Sequence, residues 1–283
     1  MSQWHQLGLS TSGGLSTPVL RLAKVCMGLA GLTAFYFGPW LPSSLSEATG
    51  WFRHRWSSGK RNPIRIEEPS GLLLIVVPCH SSERVETVSR TVGTLRSNAR
   101  DVSKVKVILV VSGSGEEEET SNMLLKMDVS GFAEGSAVIA GPAGGRGPTQ
   151  NAGFAKDRLQ SDIVIFCHAD TLLPKNYDRE VRSALADEEV LMTAFSFGLD
   201  REDHSTLRFV VNSANKRSRW FWYPYGDQAI AFRSRVFKEM GGFREDYKMM
   251  EDFDLVRRIR SRALRSRRER IEILSSKVCS SAR

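Results

Sequence analysis

The sequence predicts an α/β fold over residues 70–283, a mixed and mostly parallel sheet flanked by helices. Two observations predict it. Short β-rich runs alternate with stretches whose apolar residues recur at helical spacing, and that alternation is the pattern of strands joined by crossover helices. The chain of 283 residues is also 41% hydrophobic, enough to bury a core of this kind.

Residues 72–77 and 105–111 read as fully buried strands. Between them Val85, Val88, Val92 and Leu95 repeat at helical spacing, which makes a first βαβ unit with its turn at residues 78–82. Further strands are expected at 137–140, 163–167 and 191–197, with helices in the 150–159 and 176–185 regions. A short strand at 229–232 follows Gly226, Asp227 and Gln228, and a last helix opens near Glu251, with Phe253, Val256 and Ile259 on its apolar face. Sheets of this class bind ligands beyond the carboxyl ends of their strands, so residues there come under first suspicion.

Residues 1–69 differ in composition. Glu47 is the first acid, and only Arg21 and Lys24 are charged before it, as in a targeting or anchoring segment. Residues 25–41 are nearly free of charge and reach the lower limit of a membrane span. Arg53, Arg55, Lys60, Arg61 and Arg65 follow, so a membrane anchor would leave the remainder on the cytoplasmic side. An organellar transit peptide is the alternative. The net charge of +8 suits nucleic acid, an anionic membrane or a phosphorylated ligand equally. The arginine run from Arg257 to Arg270 lacks interleaved aromatics and any nucleic-acid-binding signature, which favours a solvated or membrane-facing helix over a nucleic-acid grip. Four dispersed cysteines indicate no disulfide framework, although Cys79 with His80 and Cys167 with His168 raise the question of a mixed metal site.

Three groups can carry chemistry. Asp170 stands just past an expected strand end, where a carboxylate can hold a hard divalent ion or merely cap the helix beyond Pro174. The glycine-rich stretch around Gly145 and Arg146 runs into a helix start, an arrangement suited to an anion and equally to a plain surface turn. Glu251 and Asp252 open the last helix; acids there can act on a substrate or simply oppose the helix dipole.

Taken in order, LLLIVVP, GGRGPTQNAGF, CHADTLLP, PYGDQAIAFRSRVFKEMGGF, MEDFDLVRRIR and KVCSSAR resemble the family 2 glycosyltransferases. The closest likeness is to a bacterial-type subgroup with Gly-Arg-Gly, His-Ala-Asp-Thr and Met-Glu-Asp motifs. The resemblance implies a GT-A-like, Rossmann-related fold. It also implies an inverting transfer of a sugar from a nucleotide diphosphate donor, assisted by magnesium or manganese, to an acceptor that is a lipid, a glycan or a small molecule. It makes Asp170 the metal and diphosphate acid, Asp252 the general base and Glu251 an orienting acid. It places Pro78, Ser112, Gly145, Arg146, Gln150, Asn151, His168 and Ala169 on the nucleotide-sugar side, and Gly226, Asp227 and Gln228 along the sugar or acceptor pocket. Ser112 stands where the family presents an acid that reads the nucleotide; Glu116 and Glu117 are the nearby substitutes. Relatives also continue past Arg283 through a basic-aromatic segment. A nucleotidyltransferase is a rival reading, against which residues 78–82 contain no glycine, and a catalytically silent scaffold on the same sheet is another.

Overall fold

β1 (Leu73–His80) is buried along all but its last residue, because it has a parallel neighbour on each side and helices over both faces. The computed structural model describes residues 71–113, 118–158, 160–200, 205–266 and 268–281. All of them fall in one unit of the chain, Gly50–Arg283. The expected segment at 25–41, the basic residues 53–65, the boundary at residue 69, and Glu116 and Glu117 lie outside the described residues. Among the described residues no helix is long and apolar enough to cross a membrane.

β1 sorts its side chains by the strand's two-residue period. Leu73, Ile75 and Val77 enter one core layer with Val88, Val92 and Leu95 of α1 (Val85–Asn98). Leu74 and Val76 enter the opposite layer with Phe166, Phe237 and Phe243. Each such side chain contributes roughly 1.5–3 kcal/mol on full burial, so both layers are needed to hold the sheet.

β2 (Val105–Ser112), β3 (Ala137–Ala140) and β4 (Ile163–Phe166) complete the parallel part, with β1 between β2 and β4. The chain thus builds outward from β1 to β3 and then returns to β1's other side. That reversal is the switch point at which ligands bind in open sheets, and it lies where β1 and β4 end. Beyond β4 come β7 (Ile230–Arg233), β6 (Val190–Ser196) and β8 (Arg270–Lys277); β7 is antiparallel to both its neighbours, and β8 is parallel to β6. The sheet is therefore mixed and mostly parallel, as expected.

Several boundaries differ from the sequence expectation. β1 continues through Pro78 and Cys79, which pair with Val110 and Val111, so the expected turn at 78–82 is half strand. The ladder persists because β2 runs alongside to Ser112. α3 (Arg146–Lys156) starts at Arg146, ahead of the expected helix, with α2 (Glu118–Leu125) before it. Pro148 is tolerated in its first turn, where a backbone N–H has no intrahelical partner. A two-stranded antiparallel pair, β5 (Thr171–Leu172) with β9 (Cys279–Ser280), was not legible in the sequence.

Much of the arginine run is paired. Arg257 and Arg258 pair with Asp254 on the same helix, α7 (Glu251–Arg265), Arg262 pairs with Glu239 and Glu269, and Arg270 pairs with Asp187. Arg260 donates to the carbonyl of Phe221 and stacks over Tyr223. Arg258, Arg260 and Arg262 thus fasten α7 to its surroundings, while Arg257, Arg265 and Arg268 stay exposed to solvent.

Candidate active site

Asp170 lies past the carboxyl end of β4, in the turn that leads into β5. It does not cap a helix. The next helix, α4 (Tyr177–Leu185), starts well beyond it and has Asn176 at its N-cap. Thr91 Oγ1 of α1 donates to the Ala169 carbonyl at 2.7 Å, which fixes this turn, while Ala169 itself is buried. Asp170 lines a cleft of about 80 Å³ with Thr87, Arg90, Thr91, Asp200 and Ser280. The cleft opens beside Asp170 and does not reach Asp252.

The other corner of the site is built on α3 and α7. Gly144 and Gly145 have φ of 118° and 106°, a backbone state open to glycine, and this lets the chain turn directly into α3 at Arg146. Arg146 Nε sits 3.0 Å from Glu251 Oε1, and its Nη1 lies 3.3 Å from His168 Nε2. A guanidinium only donates, so His168 Nε2 accepts and the imidazole carries its proton on Nδ1. Burial pushes the His168 pKa down to about 4, Arg146 reinforces this, and Asp252 opposes it. The ring is therefore neutral at neutral pH.

α7 begins without a side-chain cap, because Met250 at its N-cap adopts the left-handed region with φ of 66°. Its three first-turn acids then divide their roles. Asp254 is spent on Arg257 and Arg258, the helix-stabilising use. Asp252 accepts from the Gly226 N–H at 2.7 Å through Oδ2 and from the Phe253 N–H at 2.8 Å through Oδ1. Glu251 is 1% exposed, yet neither of its carboxylate oxygens has a well-aligned hydrogen bond among the described residues, despite the close Arg146. Burial raises its pKa, Arg146 opposes, and Asp252 adds to the rise.

Gly226 and Asp227 join the two corners. A Cβ at Gly226 would stand 2.8 Å from His168 Nε2 and 3.1 Å from Asp252 Oδ2, so only glycine fits between them. Asp227 Oδ1 is buried without a hydrogen-bond partner among the described residues. Burial pushes its pKa up to about 6; Arg217 opposes, Asp252 raises it further, Arg146 lowers it, and Asp170 raises it. Asp170 and Asp252, far apart in the chain, thus act on one carboxylate.

Three expected ligand-side residues have other work. Asn151 clamps the turn before α7: its Nδ2 donates to the Phe243 carbonyl at 2.8 Å, and its Oδ1 accepts from the Phe243 N–H at 3.0 Å. Gln228 is fully buried, accepting from Ser218 and donating to the Phe195 carbonyl. Pro78 is buried inside β1. The side chains of Asn151 and Gln228 thus bond protein here. Gln150 is different, because its Oε1 is buried with no hydrogen-bond partner among the described residues. Ser112 ends β2, and its carbonyl accepts from the Ser81 N–H.

Two contributors escaped the sequence reading. Arg217 of α5 (Ser205–Phe221) is 3% exposed and lies 3.5 Å from the ring centre of Tyr225. Ser280 bonds Thr171 at 2.9 Å and brings the C-terminal strand beside Asp170. Only the KVCSSAR stretch hinted at the second. The Cys/His metal idea fails. Burial raises both thiols, Cys79 to about 12, and among the described residues no three His, Cys, Asp or Glu side chains are grouped to hold a metal.

With this geometry in place, the fold can be compared with solved structures. The mannosyltransferase PcManGT from Pyrobaculum calidifontis, in complex with GDP-Man and Mn2+, matches at a TM-score of 0.52 and 15% identity, over 89% of this chain and 67% of that one. TarS 1-349 from S. aureus, in complex with UDP-GlcNAc, matches at 0.50 and 13%, over 75% of this chain. The fold is GT-A-like. The match spans 59% of the TarS chain's own length. The sequence itself matches no family model and no curated protein.

Two expectations follow from the corner at Gly226. Gly226→Ala should cost roughly 1–3 kcal/mol, because His168 and Asp252 are both held and cannot yield freely; thermal denaturation measures it. Asp227, whose ordinary value is 3.8, contributes stability that is present below that pH and lost as pH rises through about 6. Asp227→Asn should therefore gain on the wild type between pH 4 and pH 7, by on the order of 1–3 kcal/mol, and a Tm difference that stays flat over that range would refute the assignment.

Proposed function

We propose that the chain is a family 2-like glycosyltransferase that moves a sugar from a nucleotide diphosphate donor to an acceptor hydroxyl with inversion. The observation that carries this reading is the convergence of Arg146, His168, Gly226, Asp227, Glu251 and Asp252 on one corner, with Asp170 at the adjoining switch point of a GT-A-like sheet.

In this reading Asp252 takes the proton from the acceptor hydroxyl as its oxygen attacks the anomeric carbon and the bond to the diphosphate breaks. A carboxylate has about four acceptor sites, so the two backbone N–H groups on Asp252 leave room for that proton. Glu251, buried and without aligned donors, orients the acceptor. Arg146 faces the donor's phosphates and His168 supplies a neutral wall beside it. The residues also suit a divalent cation. Asp227 Oδ1, buried with no hydrogen-bond partner among the described residues, is a carboxylate oxygen that a cation could satisfy. Magnesium needs only one or two protein carboxylates and completes its shell with substrate phosphates, and manganese is the ion that the resemblance offers beside it. Asp170 would hold the ion, whose chemistry is to neutralise charge on the departing diphosphate.

The proposal includes residues 1–69 as a membrane-anchoring or targeting segment that leaves the catalytic part on the cytoplasmic side. Its test is direct: the full chain is incubated with a panel of GDP- and UDP-sugars and manganese, and release of nucleoside diphosphate is measured. Release with one donor is expected. Failure to bind any nucleoside diphosphate favours the silent scaffold, which Ser112 in place of an acid already favours.

A further inference from the structure

α5 has two dissimilar faces. Its inner face, Val211, Ala214, Arg217 and Ser218, is buried, and Arg217 and Ser218 bond the Tyr223 carbonyl and Gln228. Its outer face exposes Phe209 by 63% and Trp220 by 49%. At about 100° per residue, Phe209, Ser213, Lys216 and Trp220 fall on one stripe roughly 60° wide, with the two rings roughly 16 Å apart along the axis. Arg208 and Arg219 lie together along one side of that stripe, and Arg219 also donates to Ser196, while Val210, 38% exposed, lies on the other side near Arg217. The helix contains no acidic residue.

We propose that this outer face lies on an anionic lipid bilayer, with Phe209 and Trp220 in the interfacial layer and Arg208 and Lys216 against the headgroup phosphates. The chemistry selects this occupant. Aromatic rings set among cations are what an interfacial helix presents, because each ring seats at the headgroup boundary while the cations meet its negative charge. A protein partner would call for a contiguous apolar centre depleted of lysine, whereas here Lys216 stands between the rings. The inference stands apart from sugar transfer and does not require it.

The test uses the full chain and sedimentation with vesicles of phosphatidylcholine alone or with about 30 mol% phosphatidylserine. Because residues 1–69 of the full chain are themselves proposed to anchor it, hydrogen exchange across Ser205–Phe221 is the deciding readout, and its slowing on anionic vesicles is expected to be lost in the double variant Phe209→Glu, Trp220→Glu. The charge-reversal pair Arg208→Glu, Lys216→Glu should lose the preference for anionic over neutral vesicles. Both changes are on exposed side chains, and circular dichroism checks folding; if the first pair fails to fold, the second decides. Hydrogen exchange across Ser205–Phe221 should slow with anionic vesicles and not with neutral ones. Exchange in the helix that anionic vesicles leave unchanged, or that they slow equally in a folded variant, would overturn the proposal.

Discussion

Asp252→Asn is expected to leave donor binding within a few-fold of the wild type and to lower turnover by about 10²–10⁴. The carboxylate's place in the fold explains both halves. Asn keeps the shape and one acceptor oxygen, so the hydrogen bond from the Gly226 N–H survives and α7 still opens at Glu251. The loss of the second acceptor leaves the Phe253 N–H less well served, at a cost of about 1–2 kcal/mol in stability. What disappears is the capacity to take a proton. Single-turnover release of nucleoside diphosphate, alongside calorimetric binding of the donor, separates the two. Release that persists in the variant removes Asp252 from the role of base, and loss of the fold itself would make the acid structural.

Asp170→Ala carries the second large effect, and it falls on binding. Manganese-dependent affinity for a nucleoside diphosphate should drop by at least about a hundredfold, toward the value measured without metal, because the cation loses its carboxylate. Binding without metal should change little, since Arg146 stands on the other side of the site. Removing the charge of Asp170 should also lower the Asp227 pKa, which Asp170 now helps to raise. Calorimetry with and without manganese reads the first effect, and the pH dependence of Tm reads the second. Equal affinity of variant and wild type in manganese would take the metal role away from Asp170.

The strands at the centre of the sheet were legible because burial on both faces forces a nearly continuous apolar run, a local property of residues 73–77 and 107–111, with Lys106 before the second run held by Asp157 at 2.7 Å. Asp170 and the Glu251, Asp252 pair were legible for a related reason: each stands where a strand ends or a helix begins. The protein contacts of Asn151 and Gln228 were not legible. An amide that faces a ligand and an amide that clamps a turn are the same residue in a sequence, and only the structure shows the partners Phe243 and Phe195. Of the acids that answer the arginine run, Asp254 is legible one helical turn away, whereas Asp187 and Glu239 come from segments far off in the chain.

By itself, then, the sequence determined the α/β class, the places of the central strands along the chain and the acids that follow a strand or open a helix, because apolar periodicity and chain breaks are encoded residue by residue. Only the tertiary structure decided which of those acids act on one another, that Gly226 is the spacer between His168 and Asp252, and that the C-terminal strand stands beside Asp170. Electrostatic coupling and close approach depend on distances between segments far apart in the chain, and no local pattern records them.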